Sequence, residues 1–353
     1  MRQRLLLLAR PSILWVGVFI VFLELTLRFF PGVVMVFGAN MDFHRYYAEQ
    51  RALSNRDEIE VLIVGDSSIQ NGVMAREVAR GLGLPDKGVF NLSYGGGSAN
   101  TVMPFLRMNL DEFTKLRTVV WIYNDYRFTN HGCRYIEHLT MDFAQMVEEL
   151  DWYYLATSDA LLKNFSILYR LIDFWRIENA RFLFAHRYFH EREAYFYLPD
   201  GGGYMVSEGA KTERLSRSNY TPWLSDYLKK ALDWYRDPSQ CDLNVRAVVE
   251  LSRQLEQEQI RFVALRHAVQ QNARKYFDRI APEHENYADI GMAPIVDSNL
   301  GVVHKDILFG FIPSSSSYYW DFQHLNYFGA MEYSRYIAER AGHLIMGKSD
   351  KYQ

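Results

Sequence analysis

Eight residues constrain this chain more than any others: Val61-Leu62-Ile63-Val64-Gly65-Asp66-Ser67-Ser68. Four apolar side chains, three of them β-branched, run without interruption into Gly-Asp-Ser-Ser. A short continuous apolar run closed by Gly predicts a strand buried on both faces, the kind found in parallel sheets. Beyond it, Ile69, Val73, Val78 and Leu82 recur among charges and predict a helix over 69–82. A serine therefore stands at the carboxyl end of a strand, where the chain turns into a helix. Ligands of open α/β sheets bind at that edge. The start of a helix adds N–H groups and positive potential, which suit an oxygen that becomes negative during reaction. The same residue types also cap helices with no chemistry attached, so the choice between cap and site falls to the rest of the chain.

The alternation continues. Gly88 to Leu92 supply a second apolar piece and lead into Ser93-Tyr94-Gly95-Gly96-Gly97-Ser98, after which 99–110 reads as helix. Thr118 to Tyr123 form a third buried strand that ends at Asn124-Asp125. Strand, helix, strand, helix, strand is the pattern of a parallel sheet. From about 127 to 240 the pattern stops. That stretch is rich in aromatics, with helices expected over 142–150 and 161–182, and reads as a mainly helical insertion. Its Trp152, Tyr153 and Trp175 suit core packing, with an acceptor groove as the alternative. A helix over 244–259, a strand over 261–265 and a final amphipathic helix over 327–345 complete the alternation, with an irregular stretch before the last.

The N-terminus differs from all of this. Arg2, Arg4 and Arg10 flank a stretch, 12–30, that is apolar except for Ser12, Glu24, Thr26 and Arg28. A bilayer core needs about 20 such residues as helix. Glu24 and Arg28 lie one turn apart and can neutralise each other. The basic flank predicts a cytoplasmic N-terminus with the globular part outside, at the cell (inner) membrane and facing the periplasm or the exterior. With no clean small-x-small cleavage site, a retained single-pass anchor is favoured over a signal peptide. The expected division is 1–38 for tail and anchor and 39–353 for one α/β domain carrying the insertion. A net charge of -3 gives no basic surface for nucleic acid. Cys133 and Cys241 form no CxxC or Cys/His spacing, so neither a metal nor another cofactor is expected.

A serine hydroxyl becomes a competent nucleophile when a neighbouring base takes its proton. The base is usually His, oriented by a carboxylate, and the transition state needs fixed donors where charge develops. Asp321 and His324 are three apart just before the final helix. Gly95, Gly96 or Gly97 can offer a backbone N–H from the loop after the second strand. Asn124 can offer an amide from the end of the third. All fall at strand ends on one sheet edge. Asp66, Ser68, Asp125, Arg266 and His267 stand beside these positions and are candidate substrate contacts. His131, His138, His186, His190, His267, His284 and His304 lack such partner spacing and read as surface or core residues, with the substrate contact as the alternative for His267.

These four blocks resemble the SGNH (GDSL-type) hydrolase and acyltransferase superfamily. Gly65-Asp66-Ser67-Ser68 resembles its first block, with Ser67 in the nucleophile place. Asn91-Leu92-Ser93-Tyr94-Gly95-Gly96 resembles the second, with Gly96 in the oxyanion place. Tyr123-Asn124-Asp125 resembles the third, with Asn124 as a further oxyanion donor, and Asp321-x-x-His324 resembles the last. The resemblance covers about 61–126 and 243–345. It departs at Ser68, where the family carries Leu, at Tyr123 in place of the third block's leading Gly, and at the three adjacent glycines.

The resemblance implies a three-layer α/β/α, flavodoxin-like parallel sheet. It implies that Ser67, His324 and Asp321 form a triad, with Ser67, Gly96 and Asn124 around the oxyanion. The anchor and the terminal Asp-x-x-His-Leu-Asn are similar to membrane-tethered members such as the alginate O-acetylation and teichoic-acid D-alanylation proteins. Those act on cell-envelope or exported polysaccharides, some beside a multi-spanning membrane O-acyltransferase that delivers the acyl group. The expected function is thus O-acyl transfer, with acetyl as the expected group, to a surface polysaccharide. An esterase using the same site is the alternative, and a non-catalytic glycan-binding subunit is the third.

Overall fold

The computed structural model describes residues 11–29, 48–49, 51–93, 97, 99–124, 242–269, 284–308, 311, 318–319 and 324–347. The expected insertion over 127–240, with its helices over 142–150 and 161–182, lies outside the described residues. The chain divides into two compact units, Met1–Tyr46 with Glu137–Phe189 and Tyr47–Ile136 with His190–Gln353. Among the described residues, the first unit holds one helix, α1 (Pro11–Phe29), of 19 residues. Leu14, Trp15, Phe19 and Phe22 of α1 are all more than half exposed. The described side chains of α1 run from Leu14 to Thr26. Among the described residues no helix is long and apolar enough to cross a membrane.

The second unit is built on a parallel sheet of five strands: β1 (Val61–Val64), β2 (Val89–Asn91), β3 (Thr118–Tyr123), β4 (Arg261–Arg266) and β5 (Val302–His304). Their spatial order is β2-β1-β3-β4-β5, with every pairing parallel. β1 lies inside the sheet, and all four of its residues are buried. This is why its sequence is a continuous apolar run rather than an alternating one. Successive side chains point to opposite faces. Leu62, Val64, Val119 and Trp121 pack on one face against α4 (Ala99–Asn109), α5 (Asp242–Gln257) and α6 (His284–Asp297). Val61, Ile63, Val120 and Ile122 pack on the other against α2 (Ser67–Gly72), α3 (Ala75–Leu82) and α7 (Tyr327–Met346). Each fully buried aliphatic side chain contributes about 1.5–3 kcal/mol, so the two cores, rather than propensity, hold these short elements.

The structure corrects the sequence reading in two places. The helix expected over 69–82 is two helices, broken at Val73-Met74, whose backbone is extended. Long-range hydrogen bonds replace the helical ones there. Asn91 Nδ2 donates to the carbonyls of Ile69 (3.0 Å) and Val73 (2.9 Å), and the amide of Met74 donates to Ser334 Oγ at 2.8 Å. The stretch before the last helix, expected to be irregular, contains α6 and β5. β5 has only three residues and no fully buried one, and α6 carries Pro294 inside it. Neither presents a strong period. The remaining strands and the helices α4, α5 and α7 fall within a few residues of their expected bounds.

Candidate active site

β1 delivers the chain to the carboxyl edge of the sheet, and Gly65 turns it. A Cβ at Gly65 would lie 2.5 Å from Ile69 Cγ1 and 2.9 Å from the Ile122 carbonyl oxygen. Only glycine lets α2 start so close to β1 and β3. Asp66 is the N-cap of α2, and its Oδ1 accepts the Ser68 amide at 2.9 Å. Ser67 is thereby the first helical residue, half-buried, with its backbone fixed on both sides.

The histidine arrives from the far end of the chain. His324 is 8% exposed, and its Nε2 lies 2.9 Å from Ser67 Oγ. The residues after it set its position. Leu325 pairs with Tyr319 in an isolated antiparallel bridge, and the Asn326 amide donates to the Tyr318 carbonyl at 2.9 Å. Asn326 then caps α7, accepting the Gly329 amide at 2.9 Å. In the tautomer with its proton on Nδ1, the imidazole accepts from the Ser67 hydroxyl through Nε2, which is the arrangement a general base needs.

Next to Ser67 lies a buried polar ring. Asp66, Ser68 and Asn124 are each less than 5% exposed. Ser68 Oγ donates to Asp66 Oδ1 at 2.5 Å. Asn124 Nδ2 donates to Asp66 Oδ2 and to Ser68 Oγ, both at 2.9 Å. Asp66 and Ser68, expected as substrate contacts, instead turn their polar atoms on each other and on Asn124. Asn124 stands at the end of β3 beside the first block, as the sheet order requires, but both hydrogens of its amide already have acceptors.

The other expected site residues fall into two groups. Asp321, Gly96 and Asp125 lie outside the described residues. Arg266 and His267 sit at the carboxyl end of β4 and are buried. His267 Nδ1 lies 3.0 Å from the Tyr333 hydroxyl, and its amide donates to the Tyr123 carbonyl at 2.8 Å. Burial holds the Tyr333 phenol well above the ordinary tyrosine range, opposed by a hydrogen bond from the Ala268 amide and reinforced by Tyr319 and Tyr336. Tyr333 is thus a neutral tie between β4 and α7.

Asn91 is the residue whose role sequence reasoning missed. It is fully buried, and its amide holds the carbonyl end of α2 while its Oδ1 accepts the Ser93 amide at 3.1 Å. One side chain therefore fixes both the nucleophile's helix and the start of the glycine loop. An Asn ending an otherwise apolar strand was the available signal. Among the described residues no group of three or more His, Cys, Asp or Glu side chains could hold a metal ion. Comparison with known proteins finds no matching family model and no matching curated relative.

Proposed function

We propose that this chain is a membrane-anchored serine O-acyltransferase of the SGNH (GDSL-type) superfamily, acting outside the cytoplasm on a surface or exported polysaccharide. The observation that carries the reading is the 2.9 Å separation of Ser67 Oγ and His324 Nε2. The parallel order β2-β1-β3-β4-β5 supports it, because Ser67 follows β1 and Asn124 follows β3 at one edge. This is the flavodoxin-like order, whose ligands sit beyond the strands' carboxyl ends.

The chemistry is two acyl transfers. Ser67 Oγ attacks the donor's carbonyl carbon as His324 Nε2 takes the hydroxyl proton. The tetrahedral intermediate collapses, the C–O or C–S bond to the donor breaks, and the leaving group takes that proton from His324. An acceptor hydroxyl then attacks acyl-Ser67, with its proton passing to Nε2 and back to Ser67 Oγ as the new ester leaves. Asp321 orients the imidazole in this reading. In the same reading the Ser67 and Gly96 amides and Asn124 Nδ2 are the donors to the oxyanion. Each such donor is worth about 10²- to 10³-fold in rate.

The anchor reading rests on α1. Its sequence context carries the reading: 12–30 is apolar except for Ser12, Glu24, Thr26 and Arg28 and follows Arg2, Arg4 and Arg10. One span imports no acyl group, so the donor comes from a multi-spanning membrane O-acyltransferase. The test uses the full chain in detergent with 4-nitrophenyl acetate, with and without oligosaccharide. Acetylated sugar supports the transferase, and free acetate alone supports the esterase. No turnover, with Ser67→Ala indistinguishable from wild type, supports a non-catalytic glycan-binding subunit.

A further inference from the structure

Ser68 occupies the position where the superfamily it resembles carries Leu, and its hydroxyl closes a three-membered hydrogen-bond ring with Asp66 and Asn124. With Asp66 ionised, every direction in that ring is forced. A carboxylate can only accept, so Ser68 must donate to Asp66 Oδ1. The Ser68 oxygen then has only lone pairs to offer Asn124, which must present Nδ2. The amide is thereby locked in one of its two orientations, beside the nucleophile. A leucine at 68 could impose none of this.

We propose that Ser68 is a positioning residue for Asn124, holding the amide by a hydrogen that the oxyanion later takes. This rests on the serine acyl-transfer reading. Asn124 Nδ2 makes one bond to a charged group and one to a neutral group. Bonds to charged acceptors are roughly twice as strong as neutral ones. As the substrate oxygen becomes negative, the Asn124 Nδ2 hydrogen accepted by the neutral Ser68 Oγ is the one released to it. The bond to Asp66 stays and keeps the amide in place. Ser68 keeps its own bond to Asp66, so no atom is left stranded when the exchange occurs.

The experiment is a double-mutant cycle on the full chain in detergent, reading 4-nitrophenol release from 4-nitrophenyl acetate and phosphonylation of Ser67 by a fluorophosphonate. Ser68→Ala is expected to lower kcat by about 10- to 100-fold, the range for a misplaced catalytic donor, with KM unchanged. In an Asn124→Ala background the same change is expected to do nothing further, because the residue Ser68 acts through is gone. Ser68→Cys, of similar shape with a weaker hydrogen-bonding group, takes its place if thermal melting shows Ser68→Ala to be unfolded. An equal fall in both backgrounds, a rise in KM alone, or no fall at all overturns the proposal. Those outcomes leave wild-type turnover and labelling intact. Absence of both in the wild type instead removes the acyl-transfer reading, and this proposal with it.

Discussion

Ser67 Oγ and His324 Nε2 are 2.9 Å apart although 257 positions separate them in the chain. Neither side chain reaches the other by local geometry. β1 and Gly65 bring the serine to the sheet edge, and the Tyr319–Leu325 bridge with the Asn326 cap brings the histidine there. The contact is therefore a product of the whole fold. Replacing Ser67 by Ala, or His324 by Gln, is expected to lower kcat on an activated acetyl ester by at least about 10³-fold, as loss of a nucleophile or its base does elsewhere. Since the imidazole acts only as the neutral base, kcat/KM should rise with pH as His324 gives up its proton. A rate that is flat from pH 5 to 8 would count against His324.

The polar anchor behind the nucleophile makes a second expectation. Asn91 donates to the Ile69 and Val73 carbonyls, the first of which also accepts the Val73 amide. Asn91→Ala takes a buried donor from Val73, at about 1–3 kcal/mol, and loosens the segment that carries Ser67. Denaturant melts should show the lost stability, and fluorophosphonate labelling of Ser67 should slow. Labelling at the wild-type rate in a destabilised variant would show that α2 keeps its place without Asn91.

Gly65 gives a third. Its missing Cβ would overlap Ile69 Cγ1 and the Ile122 backbone. Side chains can repack, but the β3 carbonyl cannot, so Gly65→Ala should cost about 1–3 kcal/mol of overpacking. The strain falls within two residues of Ser67, so kcat should drop together with the melting temperature. A variant with wild-type stability would mean that β1 and β3 separate more easily than their register suggests.

How much of this was legible follows from where each signal resides. Val61 to Ser68 announces itself because a strand buried on both faces cannot hide polar residues, and the turn that follows needs Gly. Val119 to Ile122 and Phe262 to Leu265 are readable for the same reason. The break at Val73-Met74 was not, because its cause lies in Asn91 and Ser334, which are distant in sequence and invisible to any local period. β5 and α6 were missed because an edge strand with no fully buried residue and a helix with an internal Pro carry weak patterns. At the site, residue types predicted that Ser67, Asn124 and His324 would gather at one edge. Types alone did not show that Asp66 and Ser68 face inward toward Asn124. That depends on which rotamers the buried ring selects.

The last expectation concerns pH and stability. Burial raises the Tyr333 phenol well above its ordinary range, while in the unfolded chain a tyrosine ionises near pH 10. Below about pH 10 both states keep the proton and nothing is lost. Above it the unfolded chain releases a proton that the folded chain must hold, so stability falls as pH rises from 10 toward the folded value. Tyr333→Phe removes this liability but also the hydroxyl beside His267 Nδ1 and the Ala268 amide. The variant should be less stable than wild type at pH 8 by about 1–2 kcal/mol, yet lose less stability between pH 8 and pH 11. Calorimetric melts at the two pH values measure both effects. Equal alkaline losses in the two proteins would mean that another group, not Tyr333, controls unfolding at high pH.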